Sequence, residues 1–157
     1  MNGNDSPRGG HPHSTAKIAT HPIHPMLVPF PIVCFILTLI LDILYVRGNT
    51  GVAGASNWLL GIGLVMAALA AVAGLTDYLG DERIRRLSDA LKHMLANVTA
   101  VVLEIVNLVL RLKNPDFIGS TGVWISAVVV LILLYSGWKG GDLVYRHGIG
   151  VHDSSNL

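Results

Sequence analysis

Charge is scarce in this chain. Of its 157 residues only 13% are Asp, Glu, Lys or Arg, while 52% are hydrophobic. A water-soluble domain carries about a quarter charged residues to keep its surface wetted, so an ordinary soluble globule does not fit. The formal net charge of +1 excludes a strongly basic nucleic-acid surface and an acidic solvating tail, so no nucleic-acid partner is expected. Cysteine is almost absent. Cys34 alone supports neither a disulfide framework nor a zinc site built from cysteine clusters. A cleavable signal is missing too. The first 25 residues are polar, broken by Pro7, Pro12, Pro22 and Pro25, and lack the charged, apolar and small-residue order of a signal peptide. The apolar run that follows is too long for one, so the first span is expected to stay as an uncleaved anchor. There is no usable internal repeat and no low-complexity tract, and the length allows one domain.

What is present is four apolar runs, at residues 26–46, 58–79, 90–110 and 117–138. Each is about 20 residues, and at ~1.5 Å rise per residue a helix of that length crosses a ~30 Å hydrocarbon core. Lipid permits only helices or closed barrels, and runs this long do not alternate as barrel strands do. The expected fold class is all-α: a polytopic membrane protein built as a four-transmembrane-helix antiparallel bundle over residues 21–151. Residues 1–20 read as a flexible polar segment and 152–157 as a flexible tail. Connections at 47–57, 80–89 and 111–116 are short, which places the amino terminus, the second loop and the carboxyl tail on one side. Of the eleven basic residues, Arg8, Lys17, Arg83, Arg85, Arg86, Lys92, Lys139 and Arg146 fall on that side, against Arg47, Arg111 and Lys113 on the other. By the positive-inside rule both termini are expected in the cytoplasm, with the bundle in a bacterial inner membrane.

The second run repeats small residues at four-residue spacing: Gly63, Ala67 and Ala71, and again Ala70 and Gly74. That spacing lets a neighbouring backbone approach, as a bundle contact or in a homo-oligomer. The third run places His93, Asn97, Ala100, Glu104, Asn107 and Arg111 at spacings of 4, 3, 4, 3 and 4, which is one helix face. That face must turn inward, because Glu104 lies where lipid opposes a charge. Glu104 is either a functional group or a protonated carboxyl hydrogen-bonded to another helix, and the two readings stand even. Asp42 lies near the far interface within reach of Arg47 and reads as an anchoring or capping residue. Asp77 ends its helix, where a buried carboxylate needs His93, an arginine or a metal as partner.

The remaining polar residues gather at one membrane face. His21 and His24 precede the first run, Asp77 and Tyr78 close the second, His93 and Asn97 open the third, and Asp142, Tyr145 and His147 follow the fourth. In His21-Pro22-Ile23-His24-Pro25 each histidine precedes a proline, which favours extended backbone and a stiff lead-in, with Pro25 suited to the first helical position. Pro29 and Pro31 then disturb the first turns, opening space or merely orienting the chain. The glycines from Gly137 to Gly150 follow a helix rather than precede one, so a phosphate loop is not supported. They are expected to stop the fourth helix and fold the tail back, bringing His147 toward the other histidines. His11, His13 and His152 read as solvent-exposed.

The pieces His21-Pro-Ile-His-Pro25, Phe30-Pro31, Asp77, His93, Gly137-Trp-Lys-Gly-Gly-Asp142 and Tyr145-Arg-His147-Gly together resemble a bacterial membrane-protein family, domain of unknown function 2231. The resemblance runs from about His21 to Val151 and implies four transmembrane helices. Its relatives joined to Rieske iron–sulfur or cytochrome c modules imply redox company; no activity comes with the family.

Three functions compete. In the first, one b-type haem serves electron transfer, with His24 and His93 as leading ligands, His21 and His147 beside them, and Arg83 or Arg146 receiving the propionates. One haem at one face cannot carry electrons across the membrane, so a redox partner protein or a quinone is implied. In the second, His21, His24, His93 and His147 with Asp77 or Asp142 hold zinc, iron or manganese, structurally or for hydrolysis. In the third there is no cofactor, and the cluster is a scaffold or a proton switch. Nucleophilic triad chemistry has no support, so whether the protein is an enzyme stays open.

Overall fold

The computed structural model describes residues 15–18 and 21–150. His11, His13 and His152 lie outside the described residues. Two short antiparallel strands, β1 (Lys17–Ile18) and β2 (His21–Pro22), lead into the bundle. Helix α1 (Ile23–Leu27) runs through Val28 into α2 (Pro29–Val46). A 3-10 turn (Thr50–Val52) precedes α3 (Ala53–Gly80), the short α4 (Glu82–Arg85) fills the next connection, and α5 (Ser88–Lys113) follows. A π-helical turn (Ile118–Gly122) starts the last span and continues as α6 (Val123–Tyr145). Four spans are long and apolar enough to cross a membrane: Ile23–Val46, Thr50–Gly80, Ser88–Lys113 and Ile118–Tyr145. Contacts at the two ends of the bundle, described below, make successive spans antiparallel.

The entry into the first span differs from the expected extended lead-in. Pro22 is the extended N-cap and His24 is already helical. The first turn of a helix has no internal acceptor for its N–H groups, so Pro25 costs nothing there and the extended preference of His24 is overridden. Between α1 and α2 the ladder is interrupted because Pro29 and Pro31 have no N–H to give. Val28 stays helical and donates to the His24 carbonyl at 3.1 Å.

The fourth span also differs. Gly137, Gly140 and Gly141 do not stop it but lie inside α6. Gly148, at φ +65°, terminates it: the Gly148 N–H bonds the Val144 carbonyl and the Ile149 N–H the Leu143 carbonyl, each at 3.1 Å. This paired closure with a left-handed glycine satisfies carbonyls that a helix end leaves open.

Phe35, Leu60, Ala67, Ala100 and Val129 form the apolar centre. Most other large apolar side chains point outward, which in water would be a liability and in lipid is the required surface. Of the small-residue stripe of α3, Gly63, Ala67 and Ala70 are buried within the chain, whereas Ala71 is exposed. A Cβ on Gly63 would come 2.6 Å from the Phe35 ring, and one on Gly74 2.8 Å from the His24 ring. Exposed aromatics mark both ends: Trp58 and Trp124 at one, Trp138 and Tyr145 at the other. From Trp124 to Tyr145 the helix rises about 30 Å, the thickness of a hydrocarbon core, as expected of interfacial belts. In the loop between α3 and α5, Asp81 caps α4 through the Arg83 N–H at 2.8 Å. The hydrogen bond from the Arg83 side chain to the same carboxylate pushes the guanidinium pKa above its ordinary value.

Candidate functional site

At the end of the bundle where α1 begins, two histidines meet. His24 Nδ1 lies 2.7 Å from the Ala70 carbonyl of α3, and His93 Nδ1 lies 2.8 Å from the Ser136 carbonyl of α6. A carbonyl only accepts, so each ring carries a proton on Nδ1. The Asn97 amide nitrogen stands 3.1 Å from His93 Nε2 and also donates to the His93 carbonyl at 3.0 Å. The Ser136 hydroxyl lies 3.0 Å from His93 Nδ1. The two rings sit edge to face, with centroids 6.0 Å apart and planes at 87°. Glycines make room for both. Gly74 lies under His24, and a Cβ on Gly140 would come 3.2 Å from His93. The pair thus ties together all four spans.

The other residues proposed from sequence are dispersed around this pair. Asp77 accepts from the Ala16 N–H at 2.7 Å, tying the chain ahead of β1 to the end of α3. His21 is in β2 and exposed. His147 Nε2 lies 3.4 Å from Asp89, so the tail brings it to a carboxylate at the start of α5 rather than to the other histidines. Lys139 bridges Asp89 and Asp142 at 3.0 Å each, and Arg146 reaches Asp142 at 3.1 Å. Arg83 is held by Asp81 at 2.9 Å. Among the described residues no three His, Cys, Asp or Glu side chains converge as metal ligands would.

The family model described as "Predicted membrane protein (DUF2231)" matches residues 20–153. The chain belongs to this family. The matched segment holds all four spans and both paired histidines. No curated protein and no solved structure matches the chain.

The DUF2231 bundle carries a second polar centre at its opposite end. Here the expectation that Asp42, within reach of Arg47, is an anchoring or capping residue at the interface is overturned. Asp42 of α2 forms a fully buried ion pair with Arg111 of α5. The two face each other across the interior, where each finds the opposite charge that lipid cannot supply. Arg111 Nη1 donates to Asp42 Oδ1 at 2.8 Å and to the Ser56 hydroxyl of α3 at 2.9 Å. Its Nη2 donates to Asp42 Oδ2 and to the Ser126 hydroxyl of α6, the latter at 3.0 Å. Its Nε donates to the Asn107 side-chain oxygen at 2.8 Å. Ser56 and Ser126 then donate to the two Asp42 oxygens at 2.6 and 2.8 Å. The Asn107 amide nitrogen reaches Glu104 Oε2 at 2.9 Å and Ser126 at 3.1 Å. Sequence reasoning placed Glu104, Asn107 and Arg111 on the inward face but missed Asp42 as the partner, and with it Ser56 and Ser126. The available signal was depth: Asp42 and Arg111 lie at the same end of antiparallel spans.

Proposed function

We propose that this DUF2231 protein is an integral membrane protein whose His24–His93 pair ligates one metal centre at one membrane face, that centre being a b-type haem used for electron transfer. The observation that carries the reading is the pair of Nδ1 hydrogen bonds. Both Nδ1–H groups are spent on main-chain carbonyls, which orients each ring and leaves Nε2 as the nitrogen that a metal would take. Donor count favours haem iron, which takes one or two histidines, over zinc, iron or manganese held by protein ligands alone.

A bound haem supplies one-electron chemistry. The chain's own residues do the rest: Ala70 and Ser136 carbonyls orient the rings, and Gly74 and Gly140 admit them. Asn97 must release His93 Nε2 before that nitrogen ligates. Arg83 and Arg146, at the same end and held by Asp81 and Asp142, would be the cations available to the propionates. One centre at one face calls for a quinone or a redox protein as partner. The excess of Lys and Arg at the histidine end supports the reading that this end, with both termini, faces the cytoplasm of a bacterial inner membrane.

The test is an oxidised and dithionite-reduced visible spectrum of detergent-purified protein from haem- and metal-supplied cells, with elemental analysis. A Soret band that disappears in a membrane-inserted His93→Ala variant is expected. Colourless protein with stoichiometric zinc or manganese moves the pair to a simple metal site. Colourless, metal-free protein overturns both and leaves the pair as a helix lock.

A further inference from the structure

Glu104 is the one member of the buried network that the network does not satisfy. Its side chain is fully buried, Oε2 accepts only from the Asn107 amide, and Oε1 has no hydrogen-bond partner. The rest of the network is closed. A guanidinium has five N–H donors, and all five of Arg111 are engaged: one with Asn107, two with Asp42, one with Ser56 and one with Ser126. A carboxylate offers about four acceptor positions, and those of Asp42 are filled by two guanidinium nitrogens and two serine hydroxyls. Asp42 is therefore ionised, since a protonated oxygen would have to donate to groups that are themselves donating. Its charge cancels that of Arg111. Arg111 has no N–H left for Glu104.

An ionised Glu104 would leave one uncompensated negative charge and one bare carboxylate oxygen inside the bundle. It sits nine residues from the end of α5, about 13 Å along the helix axis and so within the hydrocarbon core. Of the charged and titratable groups around it, α2 contributes Asp42 and α5 itself contributes Arg111. The groups that α3 and α6 bring to the network are the hydroxyls of Ser56 and Ser126, which do not titrate. The neutral acid keeps the bond from Asn107 and removes the net charge, which is the smaller desolvation cost.

We propose that Glu104 is an intramembrane proton-binding site: a carboxylic acid carried in the neutral form at physiological pH, with the closed Asp42–Arg111 cluster as its fixed, charge-balanced wall. This reading is independent of any centre at the histidine end. Its ligand is the proton, and Oε1 is the atom that takes it.

Infrared spectroscopy of the full chain in lipid nanodiscs tests this directly, because the chain has only two glutamates, Glu82 and Glu104. Glu82 is exposed and paired with Arg86 at 2.7 Å. With glutamate carrying a ¹³C side-chain carboxyl, a protonated-acid carbonyl band that shifts with the label at neutral pH is expected, with complete loss of that band in Glu104→Gln. Gln keeps the acceptor for Asn107 and is neutral, so the fold is expected to hold. Should it not, the isotope shift in the unmodified chain still decides. A label-shifted spectrum containing only carboxylate bands at neutral pH overturns the proposal. So does an acid band that survives in Glu104→Gln, or one that vanishes when sodium or potassium replaces choline as the only cation.

Discussion

The two ends of the bundle hold the same four spans together by different means. At the histidine end, two imidazole rings bond to main-chain carbonyls, and glycines make space for them. The side chains there are half-buried, and the ion pairs around them are partly exposed. At the opposite end, Asp42, Ser56, Asn107, Ser126 and Arg111 bond side chain to side chain with no exposure above 1%. The Asp42–Arg111 pair is held rigidly because all five guanidinium N–H groups and both serine hydroxyls find acceptors. At the histidine end the contacts are fewer: His93 Nε2 is met by Asn97, and each Nδ1 by a main-chain carbonyl.

That contrast breaks most readily at the charged end. Arg111→Ala leaves Asp42 buried without a counter-charge, a loss expected to cost about 3–5 kcal/mol. The measurement is the thermal midpoint of detergent-solubilised protein, compared with Asp42→Asn and with the double replacement. The double variant is expected to be more stable than the sum of the single losses predicts; simple additivity would mean that the pair does not couple.

A smaller effect is expected at the two glycine seats, where Ala is the probe. In Gly74→Ala the new Cβ would lie 2.8 Å from the His24 ring, so the ring must move off the Ala70 carbonyl. A net cost of about 1–3 kcal/mol is expected from the overpacking. In Gly140→Ala the contact is 3.2 Å, and the helix preference of Ala over Gly, up to about 1 kcal/mol, offsets most of the crowding. Equal melting points for the two variants would remove His24 as the tighter packed ring. The smallest effect belongs to Arg83→Ala. The Arg83 side chain is half exposed in its ion pair to Asp81, and little change in the thermal midpoint is expected.

Four spans were readable from apolar run length, and the inward face of α5 from the spacing of His93 through Arg111. The limits of the runs were less readable. Helix α3 begins at Ala53 and α6 continues to Tyr145, because hydrogen-bond ladders run on past the last apolar residue into the interface. The His24–His93 meeting was expected from their positions at one face. The separate partners of His147 and Asp142 were not, since Asp89 and Lys139 carry no periodic signal of their own.

Composition and periodicity by themselves determined that this chain enters lipid as four helices with polar groups turned inward. Lipid forbids unpaired backbone and unpaired charge, and that prohibition acts on any sequence of this pattern. Only the tertiary structure decided which polar group meets which. Arg111 reaches Asp42 across 69 residues of sequence and His24 reaches the Ala70 carbonyl across 46. Those pairings depend on how helices rotate and settle against one another, which small contacts such as Gly63 on Phe35 and Gly74 on His24 set by shape rather than by pattern.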